Sequence, residues 1–317
     1  MLMPRAKLRR MSSSAYNRPV RQSDQPPERL IQVLRAQQRL PSDAEILPMH
    51  GGRTNGVWHV RTSSGRGLVL KLYDPAAGSV LFPNDPAAEA RALRSLGPKG
   101  LAPEYVAHGT DPKAGAWLLY LHEPGPIWNG NVKQAAQALA DIHAVEHPIE
   151  GLRVSPGGSA NLIRQGEALL ANCANTERVR QLRAARPAVH AGPVQTLGLI
   201  HGDPVPGNML CSPDGAFLID WQCPAMGDAA EDLAVFLSPA MQLLYRGTLL
   251  ADEDTCAFLA AYPVKHVVAR YQMLRPLFNW RMACYCLNRW NAGHHDYAEG
   301  YRLEADQLGL SDIGEHQ

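Results

Sequence analysis

The stretch from His201 to Ala234 reads HGDPVPGNMLCSPDGAFLIDWQCPAMGDAAEDLA. Within it, Asp203 is followed by Asn208 and then by Asp220, which ends the apolar run Ala216-Phe-Leu-Ile219. Carboxylate and amide oxygens of this kind suit a hard divalent cation such as Mg²⁺. One carboxylate, Asp203, is left over to accept a hydrogen bond, and finally the proton, from an attacking hydroxyl. Those are the parts phosphoryl transfer requires, because the reaction depends on positioning and charge neutralisation more than on covalent help. Gly215 to Ile219 predicts a short buried strand that delivers Asp220 at its end. Met209 to Cys211 predicts its antiparallel partner, and Ser212 to Gly215 the turn between them. Asn208 and Asp220 then lie at the same mouth of a hairpin, with the loop from His201 to Gly207 beside them. Pro204 biases Asp203 away from the helical region, and Pro206 with Gly207 shapes the return of the loop.

The order HGDxxxxN, then IDW, then GD and DLA resembles the aminoglycoside phosphotransferase and choline kinase superfamily, a relative of the protein kinases. The family loop often reads HGDLHPGN; here Pro204 and Val205 replace the Leu and the second His, neither of which belongs to the minimal Asp-plus-Asn machinery. The resemblance implies an α+β, bilobal protein-kinase-like fold, with a small antiparallel-sheet N-lobe and a larger, mostly helical C-lobe. It implies ATP and Mg²⁺ as cofactors, Asp203 as the catalytic carboxylate, and Asn208 and Asp220 as metal ligands. It also implies that His201 and Asp232 hold the loop in shape rather than doing chemistry.

The upstream half contains the elements that such a fold needs in front of the catalytic loop. Glu45 to His50 predicts a first strand, Gly51 to Gly56 (GGRTNG) a turn, and Val57 to Thr62 a second strand. Small residues and backbone N–H groups in that turn can approach phosphates closely, and by resemblance Gly51, Gly52, Thr54 and Asn55 contact the nucleotide. Gly67 to Tyr73 is an apolar strand with Lys71 in its middle, and a lysine there must reach solvent or find an anion. By resemblance Lys71 contacts the α- and β-phosphates, with Glu89 on the following helix, Asp85 to Leu96, as its carboxylate partner. Asp85 can cap that helix and Pro86 suits its first turn. Leu93 and Leu96 are spaced to face the sheet with Ala90 near them, while Glu89 beside that stripe is free to face the sheet or water. Leu101 to His108 and Ala116 to Leu121 predict two further strands. Position and resemblance place the lobe hinge after the second of them, where backbone groups of Leu121 and Glu123 would contact adenine. Asn131 to Val145 predicts an Ala-rich helix whose His143 reads as a buried structural residue.

Composition bounds the rest. The chain has 317 residues, 45% of them hydrophobic, and a formal net charge of +1. This suits one bilobal unit and gives no reason to invoke nucleic acid or an acidic membrane. No apolar run approaches the roughly 18 residues of a membrane span. Residues 1–27, rich in Ser, Arg, Gln and Pro, predict a disordered tail; 28–121 are expected to form the nucleotide lobe and 122–317 the catalytic and substrate lobe. Six cysteines with no zinc or small-domain spacing read as reduced thiols in a cytoplasmic protein.

The phosphate acceptor is expected between the catalytic loop and the C-terminal helices, in a monomer or homodimer acting on a small-molecule hydroxyl. Glu231 together with Trp280, Tyr285 and Trp290 suggests a cationic alcohol held by acidic groups and aromatic ring faces. A choline- or ethanolamine-like amino alcohol is therefore the first expectation, and a sugar, amino sugar or aminoglycoside the second. The reading from another class is a non-catalytic nucleotide-binding scaffold of the same fold. Its usual mark would be loss of Asp203, Asn208, Asp220 or Lys71, and all four are present.

Overall fold

The computed structural model describes residues 25–49, 53–63, 65–128, 130–212 and 215–310. Residues 1–24 of the expected tail and the glycine pair Gly51-Gly52 lie outside these residues, while 25–27 lead into the first helix.

The N-terminal part is a five-stranded antiparallel sheet built from β1 (Glu45–Pro48), β2 (Gly56–Arg61), β3 (Leu68–Leu72), β4 (Tyr105–Asp111) and β5 (Gly115–Leu121), in the order β1-β2-β3-β5-β4. Both faces of this sheet are covered, which explains why β3 reads as an unbroken apolar run instead of an alternating one. Side chains alternate across a strand, so Leu68, Leu70 and Leu72 point one way and Val69, Lys71 and Tyr73 the other. The first set meets Trp58, Val60, Trp117 and Leu119 beneath helix α1 (Glu28–Ala36), which contributes Leu30, Ile31 and Leu34. The second set faces helix α2 (Pro86–Leu96) and merges with the main core. The sequence reading placed no helix at 28–36; its apolar residues Leu30, Ile31 and Leu34 recur at helical spacing over too short a segment to stand out. At α2 the capping expectation holds: the Asp85 carboxylate accepts from Ala87 and Ala88 N–H groups, and Pro86 occupies the first turn.

The C-terminal part is mostly helical: α3 (Val132–His143), α4 (Ser159–Ala171), α5 (Glu177–Ala184), α6 (Ala229–Leu237), α7 (Pro239–Arg246), α8 (Asp252–Ala261), α9 (Lys265–Asn291) and α10 (Tyr297–Asp306). Three short strands, β6 (Arg153–Ser155), β7 (Gly198–Ile200) and β10 (Ala225–Gly227), form a second small sheet in the order β6-β10-β7. No strand is predicted from sequence at Arg153–Ser155, so β6 is an addition. The small sheet matters because β7 leads directly into the catalytic loop and β10 follows Asp220. The hairpin β8 (Met209–Ser212) and β9 (Gly215–Leu218) pairs Met209 with Leu218, as the sequence predicted. The chain crossing from the first part to the second is laced to it, since Trp128 N–H donates to Met209 O at 2.8 Å and Cys211 N–H to Pro126 O at 2.8 Å. No helix among the described residues is long and apolar enough to cross a membrane.

Candidate active site

Lys71 is 1% exposed, and its ammonium is held by two carboxylates. Glu89 Oε2 accepts from Nζ at 2.6 Å, and Asp220 Oδ1 accepts from the same atom. The two open options for Glu89 are thereby closed: it faces the sheet, itself 1% exposed. The signal was in the spacing, since Glu89 lies four residues before Leu93 and therefore on the buried stripe. Burial alone would favour a neutral lysine, but the two carboxylates outweigh it and raise the Lys71 pKa above its ordinary value. Tyr73, a residue the sequence reading passed over, donates its hydroxyl to Glu89 Oε2. It sits two positions after Lys71, just past the end of β3 and on the same face, which is the one sequence signal that points to it.

The catalytic loop is fixed from behind by Asp232. Its carboxylate, fully buried in α6, accepts from His201 N–H at 2.7 Å and Gly202 N–H at 2.8 Å. His143 Nε2 donates to it at 3.0 Å, and the Tyr262 hydroxyl lies 2.7 Å from His143 Nδ1. Burial pulls the Asp232 pKa up, yet His143 and the backbone donors more than offset this and leave it below the usual carboxylate range. His201 is buried too. Its Nδ1 accepts from Asp203 N–H at 3.3 Å and its Nε2 donates to Ile219 O at 3.0 Å, so the ring ties the loop to the strand that ends at Asp220. Burial lowers its pKa, in keeping with a neutral ring that needs one donor and one acceptor nitrogen. Gly202 has φ 82°, and a Cβ there would stand 2.2 Å from Cys223 O, so only glycine fits.

Asp203 is nearly buried, and Asn208 bridges back to it: Asn208 Nδ2 donates to the Asp203 carbonyl at 2.9 Å and to Oδ2 at 3.3 Å. With its Nδ2 so used, the Asn208 side chain has its amide oxygen left as acceptor. Burial first, and the nearby Asp220 carboxylate second, push the Asp203 pKa well above the usual carboxylate range. Asp220 is one of the few non-glycine residues with a left-handed backbone, φ 63°, a conformation uncommon enough outside glycine to mark functional positions. Asn208 and Asp220 thus offer hard oxygens at one mouth, next to carboxylates whose charge Lys71 offsets in part. No group of three or more His, Cys, Asp or Glu suited to a metal occurs among the described residues. Such a donor set fits a magnesium ion that arrives with phosphates and keeps part of its coordination to them, not a resident all-protein metal site.

On the nucleotide side, the Asn55 side chain is held within the protein. It is buried, with Nδ2 donating to Gln222 Oε1 at 2.8 Å and Asn84 Oδ1 at 2.9 Å, and Oδ1 accepting from Asp74 N–H at 3.1 Å. Its side chain is spent on joining the glycine turn to the segment after Asp220. Thr54 stays half-buried beside it. Leu121 N–H donates to Glu104 O at 2.9 Å, and the Glu123 carboxylate pairs with Arg66 at 2.9 Å. What these two residues can still present to a base is main chain: among the described residues nothing takes the Glu123 N–H.

A family model described as a phosphotransferase enzyme family matches residues 45–263. The chain belongs to that phosphotransferase family. Among solved structures it is similar to a choline kinase from Streptococcus pneumoniae (19% identity, TM-score 0.61, covering 89% of this chain and 98% of that one). It is also similar to a Plasmodium vivax ethanolamine kinase (14% identity, TM-score 0.59, 90% and 89% covered). A third is a spectinomycin phosphotransferase solved with ADP and spectinomycin (14% identity, TM-score 0.55, 89% and 95% covered). A comparison with curated proteins found no match. The fold of this phosphotransferase is therefore kinase-like, as the sequence implied.

The acceptor residues named from sequence fare unevenly in this phosphotransferase. Glu231 pairs with Arg281 at 2.9 Å and accepts from Ser155, so it faces the interior of the helical part. Trp280 donates to Leu182 O at 2.7 Å and packs on Gly166 in the core. Trp290 lies against Tyr301 and under Arg178. Tyr285 alone joins an aromatic cluster on the catalytic side, 4.9 Å from Phe82 and 5.7 Å from Tyr297 between ring centroids. Tyr245 completes that cluster, its ring packed on Gly207 of the catalytic loop. Arg53 reaches down from the glycine turn to pair with Asp296, its guanidinium 5.7 Å from the Tyr245 ring centroid and 5.2 Å from that of Tyr297. Tyr245, Tyr297 and Arg53 carry no motif that sequence reading could have caught, since three separated segments converge to place them.

Proposed function

We propose that the chain transfers the γ-phosphoryl group of ATP to a hydroxyl of a small metabolite, with Mg²⁺ as the required ion. The observation that carries this reading is the buried Asp203, clasped by Asn208 and lying beside the Lys71–Asp220 pair. In this mechanism Asp203 orients the acceptor hydroxyl and takes its proton, a task its raised pKa suits. Asn208 and Asp220 would hold the ion, which neutralises charge on the phosphates when bound. Lys71, kept charged and positioned by Glu89, balances phosphate oxygens from the other side. Backbone groups around 51–54 and 121–123 would hold the nucleotide.

Relatives named as choline, ethanolamine and spectinomycin kinases make amino alcohols and amino sugars natural acceptors to try. Of the four side chains expected to hold such a cation, only Tyr285 supports that choice here. The non-catalytic reading finds no support in the residues, since Lys71, Glu89, Asp203, Asn208 and Asp220 are all in place.

The test is ADP release from Mg-ATP over a panel of amino alcohols, sugars, hydroxy acids and aminoglycosides. Asp203→Asn is expected to lower kcat by about 10²–10⁴-fold, the range for a lost general base, while nucleotide affinity changes little. Turnover of that variant near the unmodified rate would overturn the assignment.

A further inference from the structure

Of the guanidiniums about the acceptor side of the cleft, some are neutralised by carboxylates and Arg289 is not. Around it, Asp228 pairs with Arg270, Glu231 with Arg281, Glu299 with Arg302, and Asp296 with Arg53. Arg289, near the end of α9, pairs with no carboxylate among the described residues. One Nη donates to His294 Nε2 at 2.7 Å. Its Nε is shut off from solvent and lacks a hydrogen-bond partner. A donor buried in this way costs free energy until an acceptor meets it, and more so when it is charged.

The position of Arg289 gives that acceptor a meaning. Its Cζ lies 5.9 Å from the Tyr297 ring centroid. The same ring is faced by Arg53, which also faces Tyr245, and Tyr245 rests on Gly207 between Asp203 and Asn208. A continuous wall of Tyr245, Tyr297 and Tyr285 therefore runs from the catalytic carboxylate to Arg289. Asp296, which meets Arg53 at this wall, is already paired. His294 accepts from Arg289 through Nε2, which leaves its Nδ1 free to donate.

We propose that the acceptor is a small hydroxy compound bearing a carboxylate or phosphate, and that Arg289, aided by His294, binds that anionic group while the hydroxyl meets Asp203. This rests on the phosphotransferase reading above and names its substrate class. Arg289 is then a specificity-determining residue: it sets which acceptor enters and takes no part in the transfer itself.

Matched pairs test it. The full chain loaded with Mg-ADP is titrated calorimetrically with L-serine against ethanolamine, and with D-glycerate or glycerol 3-phosphate against glycerol. Each pair keeps the hydroxyl and differs in the anionic group. The expected result is at least a tenfold preference for the anionic member, equal to about 1.4 kcal/mol. Glycerate against glycerol 3-phosphate separates carboxylate from phosphate. In Arg289→Gln the preference is expected to collapse, and Arg289→Lys to restore part of it, with ADP affinity unchanged in both. No anionic preference in the unmodified protein, or the same preference in Arg289→Gln, overturns the proposal. ADP release from Mg-ATP in the same samples keeps the two readings apart. Turnover of choline or ethanolamine without any acidic acceptor retains the kinase and discards the anion site. An Arg289-dependent anion preference with no ADP release from any acceptor does the reverse.

Discussion

Asp232 shows how much of the loop from His201 can hang on one buried carboxylate. It takes two backbone N–H groups, from His201 and Gly202, and the imidazole of His143, all within the buried interior. Asp232→Ala strands these donors together, and breaking a buried charged network by removing one partner costs about 3–5 kcal/mol. A fall in unfolding free energy of that size, read as a lower urea midpoint at an unchanged m-value, is expected; a loss of less than about 1 kcal/mol would show that the loop is held by other means. Single residues were also where the sequence was most readable. Asp203, Asn208, Asp220 and Lys71 announce themselves because their chemistry demands a polar group next to apolar strands. The side-chain bonds of Asn55 were not legible because a turn asparagine suits a phosphate loop and a lobe-joining hydrogen-bond network equally well. Tyr245 stays silent because no local pattern separates a helix residue that packs on the loop at Gly207 from one that faces solvent.

Among the elements, α10 depends on an acid that is neutral for part of the ordinary pH range. Glu304 is fully buried, where it accepts from Ser238 Oγ and, at 3.3 Å, from Ala240 N–H, tying α10 to the start of α7. Burial pushes its pKa from 4.5 up to about 7, opposed only in part by those hydrogen bonds. The sign follows from proton counts. Between pH 4.5 and 7 the folded chain binds more protons here than the unfolded chain, so the stabilising contribution is complete below 4.5 and is lost as pH rises to about 7. The loss amounts to at most about 3 kcal/mol. Glu304→Gln retains an acceptor for Ser238 and Ala240 without the charge. Its melting temperature is expected to match the unmodified chain near pH 4.5 and exceed it at pH 8; a variant that is less stable at pH 8 would refute this. The elements themselves were legible where pattern and cap agreed, as in α2 and the β8–β9 hairpin. They were missed where they are short, as with β6, or where the apolar stripe is brief, as with α1. A strand of three residues is specified by its neighbours in the sheet, not by its own sequence.

At the scale of the whole molecule, the two lobes are stitched on both sides of the cleft. Behind it, Gln222 receives Asn55 and Asp85, and Cys223 lies against Pro83, immediately after Asp220. In front, Arg53 spans from the glycine turn to Asp296. Sequence order alone could not show this second stitch, which joins residues at opposite ends of the folding unit. The rear contacts are buried, and the front one lies partly open, with side chains 19% and 24% exposed. Dissolved ions weaken such an exposed pair much more than a buried one. The front clasp should therefore work as a latch whose release sets the pace of traffic through the cleft. In stopped-flow measurements with a fluorescent nucleotide, moderate added salt and Asp296→Asn should both speed entry and exit, and the two effects should not add. Slower exchange in the variant would mean that the bridge helps to form the entrance instead of closing it. An ion pair usually counted toward stability would then be better understood as a timing element, one whose strength is tuned by the composition of the surrounding solution.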